Sequence, residues 1–156
     1  VPELLEAGIR VGLGTDSNLS NNNLDLFEEM RLAAMLQKLH RDDPAAMPCY
    51  QVLWLATMGS ARALGMADEI GSLEVGKKAD VILVDLRAPH LWPVFTGAHN
   101  NVVEQLVYSA NAADVHTTVV DGRVLMEGRA VRTLDEEEVR TAAHEAARNL
   151  IERAGL

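Results

Sequence analysis

The hydrophobic period of this chain switches from helical to alternating partway along, so neither an all-helical nor an all-strand fold accommodates the whole sequence. From Leu24 to about His40, the residues Leu24, Phe27, Met30 or Leu32, Ala34, Met35 and Leu39 recur at three- and four-residue spacing, which predicts a helix. Asp25 and Glu28 have the spacing of a capping box at its start, and Pro44 and Pro48 close the segment. "CYQVLWLATMGSARALGM" keeps the helical period from Tyr50, is interrupted near Gly59-Ser60 and ends around Gly65, so two short helices are expected there. The period then falls to two. "KADVILVDL" is an apolar run bracketed by charges, "VVEQLVYSA" and "VHTTVVDGRVLMEGRAV" alternate, and Asp121-Gly122 between two such runs is a hairpin signal. In "TLDEEEVRTAAHEAARNLIERAGL", Thr133 and Glu136 have capping-box spacing and acids crowd the first turn. Val139, Ala143, Ala146 and Leu150 form a narrow stripe there, predicting a surface helix docked on one face. Three regions follow: 1–68, mainly helical after a short strand; 69–131, a small β unit; and 132–156, a terminal helix.

Composition removes several classes of function. With 48% hydrophobic and 24% charged residues the chain is an ordinary globular sequence. No apolar run approaches the ~18 residues of a membrane span, and "VPELLEAGIR" lacks the pattern of a secretory signal. A cytoplasmic location is expected. The single cysteine, Cys49, excludes an internal disulfide and a cysteine-cluster metal site, and reads as a small half-buried hydrophobe. A net charge of -9 argues against nucleic acid and anionic membranes as partners, since both need clustered Lys and Arg. A small neutral or cationic substrate is compatible with it.

One stretch raises a chemical question. "GIRVGLGTD" alternates glycine with branched apolar residues and stops at Thr15-Asp16, the pattern of a short buried strand closed by a turn. Asp16 is followed by "SNLSNNNLD", with asparagines at 18, 21, 22 and 23. An aspartate after a strand is either a turn former that accepts backbone N–H bonds or a carboxylate held out for chemistry. Asparagine runs usually build turns because they tolerate left-handed backbone. None of the five histidines, His40, His90, His99, His116 and His144, makes an H-x-H pair, and each has a structural explanation as a helix-end, loop or strand-start residue. None is expected to be a metal ligand. Met30, Met35, Trp54 and Met58 follow the helical period and are expected in the core. Trp92 and Phe95 fit either a substrate entrance or a subunit contact.

Taken in order, "GTD", "SNNNLDLFEEMRLAAMLQK", "ATMGSARALGM", "IGSLEVGKKADVILVDL", "HLWP" and "LVYSANAADVHTTVVDGRVLMEGR" resemble the C-terminal part of amidohydrolase-superfamily enzymes. The branch they are most similar to holds aminohydrolases and chlorohydrolases: methylthioadenosine and S-adenosylhomocysteine deaminases, with triazine hydrolases and cytosine or guanine deaminases as relatives. The "GSLEVGKKADVILVD" and "VVDGRV" blocks mark the superfamily; "SNNNLD", "EEMRLAAMLQK" and "HLWP" followed by "LVYSA" mark the branch.

The resemblance implies an α/β fold in which residues 1–68 are the last strand and helices of a (β/α)8 TIM barrel. Residues 69–131 are then the C-terminal share of a small β-sandwich, and 132–156 the C-terminal helix. Val11 to Thr15 would be the eighth strand, which puts Asp16 at the barrel rim where catalytic groups stand. In such enzymes the matching aspartate binds one divalent metal ion, zinc first and iron second, and exchanges protons with its water. Asp16 is therefore the expected catalytic and metal-binding residue, and Asn22 the expected substrate contact. Ser17 and Asn18 depart from the glycine common in this branch, which bears on substrate choice. The implied reaction is hydrolytic deamination of an amino-substituted purine, pyrimidine or triazine ring. Hydrolytic dechlorination is the alternative within the class, and a non-catalytic binding or assembly module the alternative outside it. A full barrel takes ~250 residues, so this chain is expected to be the C-terminal portion of an enzyme whose remaining ligands lie upstream. It should expose apolar faces at Val11, Leu13 and the first long helix, and either form a homo-oligomer or associate with the missing segments.

Overall fold

The computed structural model describes residues 1–155. A short helix α1, Pro2–Glu6, leads into an extended segment that ends at Asp16, followed by one helical turn, α2, Asn18–Asn21. The long helix α3 spans Leu26–Arg41. It begins one residue after Asp25, whose Oδ1 accepts the Phe27 amide at 2.9 Å. The expected capping box does not close: the Glu28 carboxylate accepts from Asn23 Nδ2 instead, and the Asp25 amide donates to Asn23 Oδ1 at 3.2 Å. Asn23 thus takes the place that Glu28 would fill.

The interruption expected at Gly59-Ser60 is a π turn inside one continuous helix. Helix α4, Cys49–Trp54, runs through Leu55–Gly59 in π geometry into α5, Ser60–Ala63, with helical dihedrals at Trp54, Leu55, Gly59 and Ser60. A single glycine is not enough to break a helix whose Val52, Leu55 and Ala61 are all buried. The π turn absorbs the misfit.

Strand β1, Val81–Val84, pairs antiparallel with β2, Val115–Val120, which pairs with β3, Arg123–Glu127, and that with β4, Ala130–Val131. The Asp121-Gly122 signal holds. Both residues have positive φ, 49° and 75°, as a two-residue primed turn requires. The turn is pinned back to the approach to β1 by Asp121 N–H to Asp80 Oδ1 at 2.7 Å and Gly122 N–H to the Ala79 carbonyl at 3.1 Å. A second such turn at Gly128-Arg129 joins β3 to β4.

"VVEQLVYSA", read as a strand, is instead helix α6, Val102–Tyr108. Val103, Leu106, Val107 and Ala110 stand at helical spacing and pack into the cluster formed with α3 and α4, Val107 and Ala110 with no exposure. On so short a window the two periods overlap, and burial against two helices decides. The core lies here: Phe27, Met30 and Ala34 of α3, Met47, Val52, Leu55, Leu91, Val107, Ala110 and Val115. Met30 is buried as expected, but Met35 is 55% exposed and Trp54 stands at the surface.

Two other expectations change. Val11 and Leu13 are half-buried against the core, although Val11–Thr15 makes no strand ladder among the described residues. The open apolar face belongs to α3, at Leu32, Met35, Leu36 and Leu39. The last helix, α7, Glu136–Ala154, is capped by Asp135, not Thr133; its carboxylate accepts the Glu137 and Glu138 amides. No residue of α7 is buried, so its Val139 to Leu150 stripe is not docked on the described chain. The stripe was legible, but a partner for it was not. Among the described residues, no helix is long and apolar enough to cross a membrane.

Candidate functional site

The extended segment before Asp16 is short and nearly free of backbone hydrogen bonds. Asp16 closes it with φ 56°, a left-handed conformation that aspartate tolerates better than most residues. Its side chain is exposed. Oδ1 accepts the Ser17 amide at 2.8 Å, and Oδ2 has no hydrogen-bond partner among the described residues. Both expected characters are present at once: one oxygen makes the turn, and the other is offered outward.

The asparagine run divides in a similar way. Asn21 Nδ2 donates to Glu29 Oε1 at 2.6 Å, and Asn23 is committed to Glu28 and Asp25. Asn22 caps α2 with φ 65°, is exposed, and makes no side-chain hydrogen bond among the described residues. Of these three neighbours it alone has an amide available to a ligand. Ser17 and Ser20 bond to each other through their hydroxyls at 3.2 Å, which keeps them within the turn.

The floor beneath this loop is tied to the β unit. Asp25 Oδ2 accepts the Ala112 amide at 2.9 Å, and the Arg31 guanidinium donates to the Ala110 carbonyl at 2.6 Å. Asp114, 8% exposed, accepts the Asn111 amide at 2.9 Å and lies 3.0 Å from His90 Nε2. Nothing in the sequence marks the links of Asp25, Arg31 and His90, whose partners lie far along the chain, whereas Asn111 and Asp114 have capping-box spacing.

The remaining histidines are placed as follows. His116 Nδ1 is 2.8 Å from Thr117 Oγ1, His144 Nε2 is 3.1 Å from Arg148, His40 lies in the last turn of α3, and His99 ends a single 3-10 turn. Among the described residues, no three His, Cys, Asp or Glu side chains converge to hold a metal ion. Asp16 fits a divalent cation as one oxygen donor. It does not compose a centre.

A groove of about 580 Å³ opens at the other end of the segment, lined by Leu5, Ile9, Val11, Trp54, Arg62 and Asp68 among others. Arg62 stacks 5.4 Å from the Trp54 ring centre along it. From Val11 to Asp16 an extended chain covers about 17 Å, so this groove and the free carboxylate are separate places. Away from both, a pair of salt bridges sets the local electrostatics. Its own backbone amide first, then Arg41, draws the Glu3 carboxyl down to about 2, and Arg87 holds Asp85 well below the usual carboxylate range.

The Amidohydrolase family profile matches residues 1–125. Over 152 residues the chain is 54% identical to the 5-methylthioadenosine/S-adenosylhomocysteine deaminase of Desulforudis audaxviator, covering 97% of this chain and 34% of that one. Among solved structures it is similar to a zinc-bound adenosine deaminase from Xanthomonas campestris, with TM-score 0.87, 37% identity, and coverage of 96% of this chain and 33% of that one. It is also similar to an atrazine chlorohydrolase from Arthrobacter aurescens complexed with zinc, with TM-score 0.78, 30% identity, and coverage of 92% and 31%. The chain belongs to the amidohydrolase family, and its mixed helix and strand fold matches a part of those enzymes. It spans about a third of the length of the curated relatives it matches.

Proposed function

We propose that this chain is the C-terminal part of a metal-dependent aminohydrolase that hydrolyses the exocyclic C–N bond of an amino-substituted purine, with an adenine nucleoside the first substrate class to test. The observation that carries this reading is the outward carboxylate of Asp16, half engaged by the Ser17 amide and half free. The similarity to deaminases of adenosine-like compounds supports the substrate class.

A divalent cation, zinc before iron, would be held by Asp16 together with donors from outside the described residues, and supplies a water acidified to near neutrality, about pKa 7. The Ser17 amide keeps the carboxylate from turning inward. As an ionised carboxylate, Asp16 accepts a proton from the attacking water and returns it to the ring nitrogen or the departing amine, so ammonia leaves neutral. Asn22, with its amide free, faces a ring heteroatom or sugar hydroxyl. In this reading residues 1–68 complete the barrel, 69–131 are one share of a β-sandwich, and 132–156 form the terminal helix. The exposed apolar face of α3 meets further polypeptide or a second subunit. Nucleic acid and membrane are not partners of a surface with net charge -9, and the single buried thiol of Cys49 fits a reducing cytoplasm.

Hydrolytic dechlorination of a triazine is the second reading, favoured by the similarity to the chlorohydrolase structure. The test uses the full reading frame containing these residues, loaded with zinc. Ammonia release is followed with 5-methylthioadenosine, adenosine and an aminotriazine, and chloride release with a chlorotriazine. Ammonia from the nucleosides is expected. Chloride release with no ammonia would replace deamination by dechlorination, and neither product would leave a binding or assembly module.

A further inference from the structure

We infer that Ser60 is a positioning residue for Asp16: its hydroxyl bridges the extended segment that carries Asp16 to a carbonyl of the π turn, and so fixes where the free carboxylate stands. The inference rests on the role proposed above for Asp16 and goes further by naming the group that sets its position.

The bridge is specific. The Leu13 amide donates to Ser60 Oγ at 3.1 Å, and Ser60 Oγ lies 2.8 Å from the Leu55 carbonyl and 3.2 Å from that of Leu13. A hydroxyl has one proton, so the shorter contact takes it, and the chain runs from Leu13 N–H through Ser60 O–H to the Leu55 oxygen. In an ordinary helix a serine bonds back three or four residues. Here it reaches five, because Leu55–Gly59 is in π register. Single π turns are found often at functional positions, and this one turns Ser60 toward Leu13.

Glycines on three sides make the approach possible. A Cβ on Gly12 would lie 2.6 Å from Ser60 Oγ and 2.7 Å from its Cα. A Cβ on Gly59 would lie 3.0 Å from the Val11 carbonyl oxygen, and one on Gly71 would lie 2.7 Å from Ala61 Cβ and 3.1 Å from Met58 Cα. The segment is pressed against one face of the helix, and the Gly71 turn backs the other. The helix cannot retreat.

What the bridge controls follows from what else holds the segment. Among the described residues, the backbone of residues 10–15 makes no other hydrogen bond to the rest of the chain. Leu13 is three residues, about 10 Å of extended chain, from Asp16. A shift of about 1 Å at a catalytic group costs on the order of a hundredfold in rate.

The test is Ser60→Ala in the full reading frame, with Asp16→Asn alongside. Loss of one hydrogen bond should speed exchange of the Leu13 amide about tenfold. Turnover should fall about ten- to a hundredfold with KM within about twofold, because the variant moves a proton-transfer group and leaves the substrate contacts. Ser60→Cys keeps the shape with a weaker donor and acceptor, should give intermediate values, and serves if the alanine variant does not fold. Arg62→Ala, on the same helix but stacked on Trp54, should lower the melting temperature without changing Leu13 exchange. Unchanged Leu13 exchange and turnover in Ser60→Ala, with activity abolished in Asp16→Asn, would overturn the positioning role and leave Asp16 standing. Full activity in Asp16→Asn would sink the reading of Asp16 itself.

Discussion

Val115–Val120 and Val11–Thr15 are both short, rich in branched apolar residues and closed by polar turns, yet only the first is hydrogen-bonded as a strand. Its neighbours are near or well marked: β3 lies across the two-residue Asp121-Gly122 turn, and β1 is an apolar run bracketed by charges. Val11–Thr15 has no ladder partner among the described residues, and a serine hydroxyl with close glycine contacts stands in for one. The strands of the sheet find their ladder partners within the chain, while the segment that ends in Asp16 is anchored on one side. Changes in the sheet should therefore register as stability, and changes in the segment as function.

That contrast can be broken in order of expected effect. Asp16→Asn keeps the side-chain shape and the Ser17 contact but removes the charge. In the zinc-loaded full reading frame it should lower kcat by about 10²–10⁴-fold, the usual worth of a positioned acid–base group, with little change in melting temperature. A comparable loss of stability instead would make Asp16 a turn residue. Next, Asp25→Ala removes both the cap on Phe27 and the tie to Ala112, and should cost about 1–2 kcal/mol by urea denaturation, at the upper end for an N-cap. A cost of a few tenths would mean that the long-range tie carries nothing. Gly122→Ala places a Cβ in the left-handed half of the hairpin turn and should cost about 1 kcal/mol with turnover unchanged.

The smallest effect is electrostatic. Glu3 normally titrates near 4.5 and is held at about 2 by its backbone amide and Arg41. The folded carboxyl has the lower pKa, so its stabilisation is complete above about 4.5 and is lost as pH falls through about 2. Because the pair is exposed, the slope of melting temperature against pH should be shallow in that window. Arg41→Ala should flatten it further. An unchanged slope would mean that the Arg41 contact does not persist in solution.

How much was legible depends on the distance between partners. The start of α3 at Asp25 and the hairpin at Asp121-Gly122 are local events, and residues within a few positions of each other carry the signal; α7 was legible as a helix, but its cap is Asp135 and not the expected Thr133. "VVEQLVYSA" satisfies both periods, and only its burial against α3 and α4 makes it a helix. Asp16 was singled out by its place after "VGLGT" and by the resemblance, and Asn22 by its place in the motif. The structure adds what neither could: Asn21 and Asn23 are spent on Glu29, Glu28 and Asp25 while Asn22 is not. Gly59-Ser60 is legible only as an interruption of the helical period; the contact between Ser60 and Leu13 joins residues forty-seven positions apart and has no local signal.

By itself the sequence determined the mixed α/β class, the long helices α3 and α7 and the hairpin turn at Asp121-Gly122, and it put Asp16 forward as the candidate carboxylate, because hydrophobic period and turn chemistry act over a few residues. Tertiary structure decided that α6 is a helix, that α7 leaves its stripe open, and that the Gly59 break is a π turn. It also decided that a serine forty-seven residues away holds the segment leading to Asp16. Those outcomes depend on which surfaces meet, and burial and hydrogen bonding between distant residues are settled only when the chain has closed on itself.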